Sequence, residues 1–192
     1  LSAFSAARPL RVLLLGGSLG AAPLNALLPS VVKLLMDRGL GESLSLWQQC
    51  GERNRVEADA AWINRPFAER RCDDFIDDMP AAYAWADVVI ARAGALTVSE
   101  LAATATAAIL IPLPHAIDDH QTQNARVLAE AGAALLLPQS EATPKCLAGL
   151  LIDWIASPSS LAQLSSAAGK LAAPDATHRV VEVLRGVAYA SG

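Results

Sequence analysis

Along the chain, short apolar runs alternate with longer stretches in which apolar residues recur every three or four positions. The runs Arg11 to Leu15, Leu44 to Gln49, Arg71 to Phe75, Val88 to Ala91, Ala107 to Ile111 and Ala134 to Leu137 are predicted strands. Between them lie predicted helices over Ala22 to Arg38, Arg53 to Asn64, Pro80 to Ala86, Ala95 to Ala105 and Gln121 to Ala131. Each ends at or near Gly, Pro, Asn or Asp. After Pro138 the pattern predicts three further helices, Thr143 to Ile155, Leu161 to Leu171 and Asp175 to Val187. Strands that alternate with helices pair in parallel, because a parallel pair needs a crossover connection. Right-handed crossovers on both faces give a doubly wound, Rossmann-like α/β sheet, expected in the order 3-2-1-4-5-6, with ligands at the carboxyl ends of its strands. Trp154 and Leu150 on the first tail helix are expected in the core.

Composition narrows the class. With 192 residues, 53% of them hydrophobic, the chain can bury one substantial core and is too apolar for disorder. Fifteen Lys plus Arg against nineteen Asp plus Glu give a net charge of −4, which argues against a nucleic-acid partner held by a broad basic face. Cys50, Cys72 and Cys146 are widely spaced and form no CxxC pair, so neither a disulfide framework nor a zinc knuckle is expected, and a reducing cytosol fits. The longest uncharged apolar stretch, Leu101 to Leu113, is too short to cross a bilayer. The opening at Leu1, followed by a linker-like Ser2 to Pro9, fits a piece of a longer protein.

The segments that carry chemistry follow the predicted strands. Gly16-Gly17-Ser18-Leu19-Gly20-Ala21 leaves the first strand and opens a helix, where small residues, free N–H groups and the helix dipole favour an anion. It is neither GxGxxG nor a Walker A loop. A tight turn with Ser18 as helix cap is the alternative. Phe75-Ile76-Asp77-Asp78-Met79-Pro80 offers an apolar slot for a flat heterocycle, with Asp77 and Asp78 read as helix caps before Pro80 rather than metal ligands. Arg92-Ala93-Gly94-Ala95-Leu96-Thr97-Val98-Ser99-Glu100 follows the fourth strand, beside the first Gly-rich turn where the strand order reverses. Glu100, pointing back toward the helix start, is placed either for a ribose diol or for solvent.

Pro112 to Ala125 carries a dense set of amides and imidazoles, with Gln121 and Asn124 on one helical face, suited to sugar hydroxyls. Asp119 has a helix cap as its simpler role. His115, His120 and His178 form no Ser-His-Asp or Cys-His order, so nucleophilic catalysis has no candidate. No D-x-D element is present, which points away from a carboxylate-chelated metal on a diphosphate.

Taken together, Leu14 to Ala21, Phe75 to Met79, Tyr83 to Val89, Arg92 to Glu100 and Asp119 to Ala125 resemble one family, the bacterial N-acetylglucosaminyl transferases that convert lipid I to lipid II in peptidoglycan synthesis. The likeness runs in order from about Arg11 to about Val187. It implies the C-terminal, donor-binding half of a GT-B enzyme, divided into a linker remnant (1–10), a Rossmann-like UDP-sugar-binding core (11–138) and C-terminal helices of the same domain (139–192). It further implies that Gly16, Gly17 and Ser18 hold phosphate, that Phe75, Ile76 and Met79 form a uracil slot, and that Ala95, Leu96 and Thr97 line the diphosphate beside Arg92 and Gly94. Glu100 would bind the ribose, and His120, Gln121 and Asn124 would contact phosphate and the N-acetylglucosamine ring. The donor would be UDP-N-acetylglucosamine, with no metal or other cofactor and no catalytic residue in this half. Lipid I and the cytoplasmic membrane face would be met through the other half. Competing readings are a split or glycolipid glycosyltransferase, a UDP-sugar epimerase, and a ligand-free interaction module.

Overall fold

The computed structural model describes residues 5, 7–16, 22–60, 67–114, 119–171 and 181. Its strands are β1 (Leu10–Leu15), β2 (Leu44–Gln49), β3 (Glu69–Asp73), β4 (Val88–Ala91), β5 (Ala107–Leu110) and β6 (Ala134–Leu136). Its α-helices are α1 (Ala22–Met36), α2 (Arg55–Ala60), α3 (Met79–Trp85), α4 (Ala95–Thr104), α5 (His120–Glu130), α6 (Pro144–Ala156) and α7 (Pro158–Leu171). The six strands form one sheet in the order β3-β2-β1-β4-β5-β6, and every pairing is parallel. The expected order and class therefore hold.

The central strands are buried on both faces, which is why, apart from Arg11, the sequences of β1, β4 and β5 are apolar throughout instead of alternating. On one face Val12, Leu14, Leu46, Ile90 and Ile109 pack with Leu28, Val31 and Val32 of α1 and with Leu147, Leu151 and Trp154 of α6. On the other, Leu13, Leu15, Val89, Ala91 and Leu110 pack with Tyr83 of α3, Val98 and Leu101 of α4, Leu128 of α5 and Ala168 of α7. Each fully buried Leu or Ile contributes about 1.5–3 kcal/mol, so burial of β1 alone is a large part of the stability. Arg8 grips Asp87 through both guanidinium nitrogens at 2.6 Å, and the same carboxylate accepts the Arg11 N–H at 2.9 Å, fastening the start of β1 to the start of β4.

Two predicted spans need correction. The third strand covers Glu69–Asp73, not Arg71 to Phe75. It is the sheet edge, so its residues are half-exposed and charged, with Arg70 paired to Asp59 and Arg71 stacked 4.9 Å over Trp47; charge on an edge deters further strand pairing. An apolar search slides past such a strand to Phe75 and Ile76, which lie in the loop beyond. The second predicted helix opens as a 3₁₀ turn over Glu52–Asn54 and becomes α-helical only at Arg55 in α2, and residues 61–66 lie outside the described set. Most of the predicted Asp175 to Val187 helix also lies outside it. Trp154 is buried and Leu150 packs against the same core, as expected.

Candidate functional site

The order reverses between β1 and β4, and a crevice opens there at the carboxyl ends of the strands. A cleft of about 280 Å³ occupies it. Leu15, Ala91 and Gln49 line it from the ends of β1, β4 and β2; Phe75, Ile76, Met79 and Tyr83 from the β3–α3 segment; and Arg92, Leu96, Thr97 and Glu100 from the α4 segment. The strand order alone brings together residues from positions 15 to 100.

Each wall has a local cause. Asp78 caps α3, its Oδ1 accepting the Ala81 N–H at 3.0 Å, with Pro80 in the first turn as expected for a helix start. That sharp entry leaves Ile76 buried and Phe75 60% exposed at the rim. Leu96, which lines the same cleft, is 73% exposed, so two large apolar side chains lie at an opening that water alone would not favour. The cap position of α4 is Gly94, which supplies no side-chain cap. The first N–H groups of α4 are therefore available to an anion, reinforced by the helix dipole. A Cβ on Gly94 would meet only Thr97 Oγ1 at 3.9 Å, so internal packing does not demand glycine there.

Glu100 lies one and a half turns into α4 and lines the cleft, as the ribose reading requires. Its Oε2 accepts a hydrogen bond from the Tyr83 hydroxyl at 2.8 Å. Burial, and then the adjacent carboxylate, push the Tyr83 phenol well above its ordinary value, so it stays protonated and donates. Gln49 is 5% exposed, lines the cleft, and its carboxamide makes no hydrogen bond to the described residues.

The remaining predicted residues divide. Gly16 follows β1 directly, its N–H donating to the Gln49 carbonyl at 3.2 Å, whereas Gly17 and Ser18 lie outside the described residues. Arg92 lines the cleft, yet its guanidinium donates to the carbonyls of Ile111 (3.1 Å) and Pro112 (3.0 Å) and to Gln139 Oε1 (2.6 Å). Burial lowers its pKa from the ordinary value. Its charged head thus ties together the ends of β4, β5 and the loop after β6. Asn124 is buried and donates to the Ala93 carbonyl at 3.1 Å, supporting the turn into α4. Gln121 Oε1 accepts the Leu113 N–H at 2.9 Å. None of His120, Gln121 and Asn124 lines the cleft described above. Asp119 occupies the cap position of α5 in a left-handed conformation, φ 55°, and its side chain makes no capping bond, so the expected cap hydrogen bond is absent. His115 and His178 lie outside the described residues.

Sequence reasoning missed Gln49 and gave Tyr83 no role. A polar residue at the carboxyl end of a strand, at the edge where ligands bind, was the signal available for Gln49. For Tyr83 no local signal exists, because its partner is 17 residues away on another helix. Among the described residues, no group of three or more His, Cys, Asp or Glu is placed to hold a metal ion. Nor is any helix among them long and apolar enough to cross a membrane.

Residues 11–180 match the glycosyltransferase family 28 C-terminal domain. The chain belongs to that family. Among curated relatives, the UDP-N-acetylglucosamine--N-acetylmuramyl-(pentapeptide) pyrophosphoryl-undecaprenol N-acetylglucosamine transferase of Azotobacter vinelandii is 49% identical over 181 residues, covering 94% of this chain and 50% of that protein. The enzyme of the same name from Pseudomonas fluorescens is 47% identical over 184 residues, covering 96% of this chain and 51% of its own. The chain thus spans about half the length of the curated relatives it matches. The crystal structure of Acinetobacter baumannii MurG superposes with a TM-score of 0.78 at 39% identity, over 95% of this chain and 51% of that one. A UDP-N-acetylglucosamine 2-epimerase described as putative, from Listeria monocytogenes, superposes at 0.62 with 13% identity, a likeness of fold alone for this family 28 domain.

Proposed function

We propose that this family 28 domain binds UDP-N-acetylglucosamine as the donor half of an inverting GT-B transferase that converts lipid I to lipid II. The observation that carries the reading is the pairing, across one cleft, of an apolar slot at Phe75 and Ile76 with an anchored acid at Glu100, beside the uncapped start of α4. In this reading uracil lies against Phe75 and Met79 and is read by the Ile76 backbone. The ribose hydroxyls donate to Glu100. The diphosphate meets the N–H groups of Ala95, Leu96 and Thr97, close to Gly94, with Gly17 and Ser18 as further phosphate contacts by the family resemblance. The sugar extends toward the start of α5, at His120 and Gln121, whereas the Asn124 amide is held by the Ala93 carbonyl and supports the turn into α4. Similarity to enzymes that carry the transferase name supports the choice of sugar and acceptor.

The chemistry follows from that placement. The acceptor's C4 hydroxyl attacks the anomeric carbon, the bond from that carbon to the diphosphate oxygen breaks, and UDP leaves with configuration inverted. Negative charge grows on the diphosphate as this happens. Fixed N–H dipoles at a helix start stabilise developing charge without reorganising, an effect worth several kcal/mol of barrier. Orientation of the donor adds to it. The proton from the acceptor hydroxyl goes to a base outside this chain, which together with the acceptor and the cytoplasmic membrane face belongs to the other half. An epimerase would need its own acid and base in the cleft, whereas the one carboxylate among the described lining residues is engaged with Tyr83.

Calorimetric titration with UDP, UDP-glucose and UDP-N-acetylglucosamine tests the proposal. Weak binding of UDP and preference for the N-acetylated donor are expected, with no turnover of lipid I by the chain alone. Absence of heat with UDP, or robust transfer by this chain alone, would overturn it.

A further inference from the structure

Tyr83 is a buried phenol to which none of the proposed nucleotide contacts is assigned. It projects from the middle of α3 into the core beneath the cleft and is 2% exposed. Phenylalanine would fill the same volume with no polar atom to satisfy. A buried hydroxyl left without a partner costs free energy. In this fold its partner is the carboxylate of Glu100, at 2.8 Å, on the neighbouring helix.

That contact constrains the acid more than the tyrosine. The ring is held by packing, whereas Glu100 is a half-buried side chain with several rotatable bonds. For Glu100 to swing to another rotamer, the phenol would have to be stranded in the core. A carboxylate offers about four acceptor positions, and the phenol takes one of those on Oε2. Oε1 has no hydrogen bond to any described residue, and both side chains line the cleft. The arrangement presents a fixed pair of oxygens, matched to the two O–H donors of a vicinal diol. The phenol keeps its proton across the neutral range, so its donation does not lapse with pH.

We infer that Tyr83 is a positioning residue that sets the Glu100 carboxylate for a vicinal diol, so that preference for ribonucleotides over 2′-deoxyribonucleotides depends on a hydroxyl that touches no ligand. This rests on the nucleotide reading of the cleft proposed above. Loss of the hydroxyl frees the acid to rotate away, and binding through the ribose hydroxyls suffers while binding through base and phosphate does not.

The test is calorimetric titration of the 192-residue chain with UDP and with 2′-deoxy-UDP, in the wild type, Tyr83→Phe and Glu100→Asp. The wild type is expected to prefer UDP by about tenfold or more, the usual scale for a hydrogen bond to a charged group. Tyr83→Phe should weaken UDP by about tenfold and 2′-deoxy-UDP by less than about twofold, collapsing the preference. A merely structural role would weaken both alike. Should Tyr83→Phe fail to fold, Glu100→Asp supplies the second arm. It keeps the charge but draws it back from the phenol by one methylene, and the same collapse is expected. Retention of the wild-type preference in a folded Tyr83→Phe or in Glu100→Asp overturns the positioning role alone. A wild-type chain that binds no UDP overturns the nucleotide reading and this inference with it, whereas equal binding of both nucleotides overturns this inference and the ribose role of Glu100.

Discussion

Replacing Arg92 by methionine separates a ligand-binding role from a structural one. The guanidinium makes three hydrogen bonds, to the carbonyls of Ile111 and Pro112 and to Gln139 Oε1, at 3.1, 3.0 and 2.6 Å. Each bond from a charged donor contributes about 1.5–3 kcal/mol net, but bonds that share one group are far from additive. The half-buried head already carries a desolvation cost, visible in its lowered pKa. Methionine keeps the aliphatic stem and its packing while leaving two carbonyls without their donor. The expected loss is about 2–3 kcal/mol of unfolding free energy, which in a chain of this size lowers Tm by about 5–10 °C. Urea unfolding at 25 °C measures it, with an unchanged m-value as the control that the unfolded state is unaltered. UDP affinity should fall less than about threefold, because the charged head is held by main chain away from the proposed ligand. A stability change below about 0.5 kcal/mol together with loss of UDP binding would refute the reasoning and make Arg92 a direct ligand group.

Other outcomes follow from the packing. Trp154→Ala, at a site 4% exposed between α6 and the sheet, should cost about 3–5 kcal/mol by chemical denaturation, and a cost under about 1 kcal/mol would contradict its core placement. Burial first, and then the neighbouring Cys72, push the Cys50 thiol from 9.0 up to about 12. An unfolded thiol releases its proton near 9.0, so above that pH the unfolded state binds fewer protons than the folded one and stability falls as pH rises, by at most about 1.4 kcal/mol per pH unit per group. Cys50→Ala should flatten that decline between pH 9 and about 11; an unaltered slope would assign it elsewhere. Maleimide labelling of the folded chain near pH 8 should modify Cys72 and Cys146 before Cys50, which is fully buried, and early modification of Cys50 would contradict its position.

The topology was legible because residues 12–15 of β1, Val88–Ala91 and Ala107–Leu110 are apolar runs whose character signals burial on both faces. Crossover handedness then left few orders to choose from. The third strand was misplaced by two residues because its side chains are charged for an edge, and edge charge has no period to detect. The crevice was legible too, since Phe75, Ile76 and Glu100 all follow strand ends near the reversal of order. What a linear reading cannot supply is the destination of a polar head. Arg92 and Asn124 carry groups equally suited to a ligand or to a carbonyl, and only the approach of Ile111 and Ala93 decides between them. Tyr83 was invisible for the same reason, its partner being set by the packing of α3 on α4.

The central claim is that a uridine nucleotide lies between the Phe75-Ile76 segment and α4. A crystal structure of the chain soaked with UDP tests it most directly. The account predicts the pyrimidine against Phe75, the ribose hydroxyls within hydrogen-bond distance of Glu100 and the diphosphate at the start of α4. Density for UDP elsewhere, such as in the second cleft lined by Asn25, Gln48 and Glu57 between α1 and α2, with the Glu100 cleft empty, would contradict it.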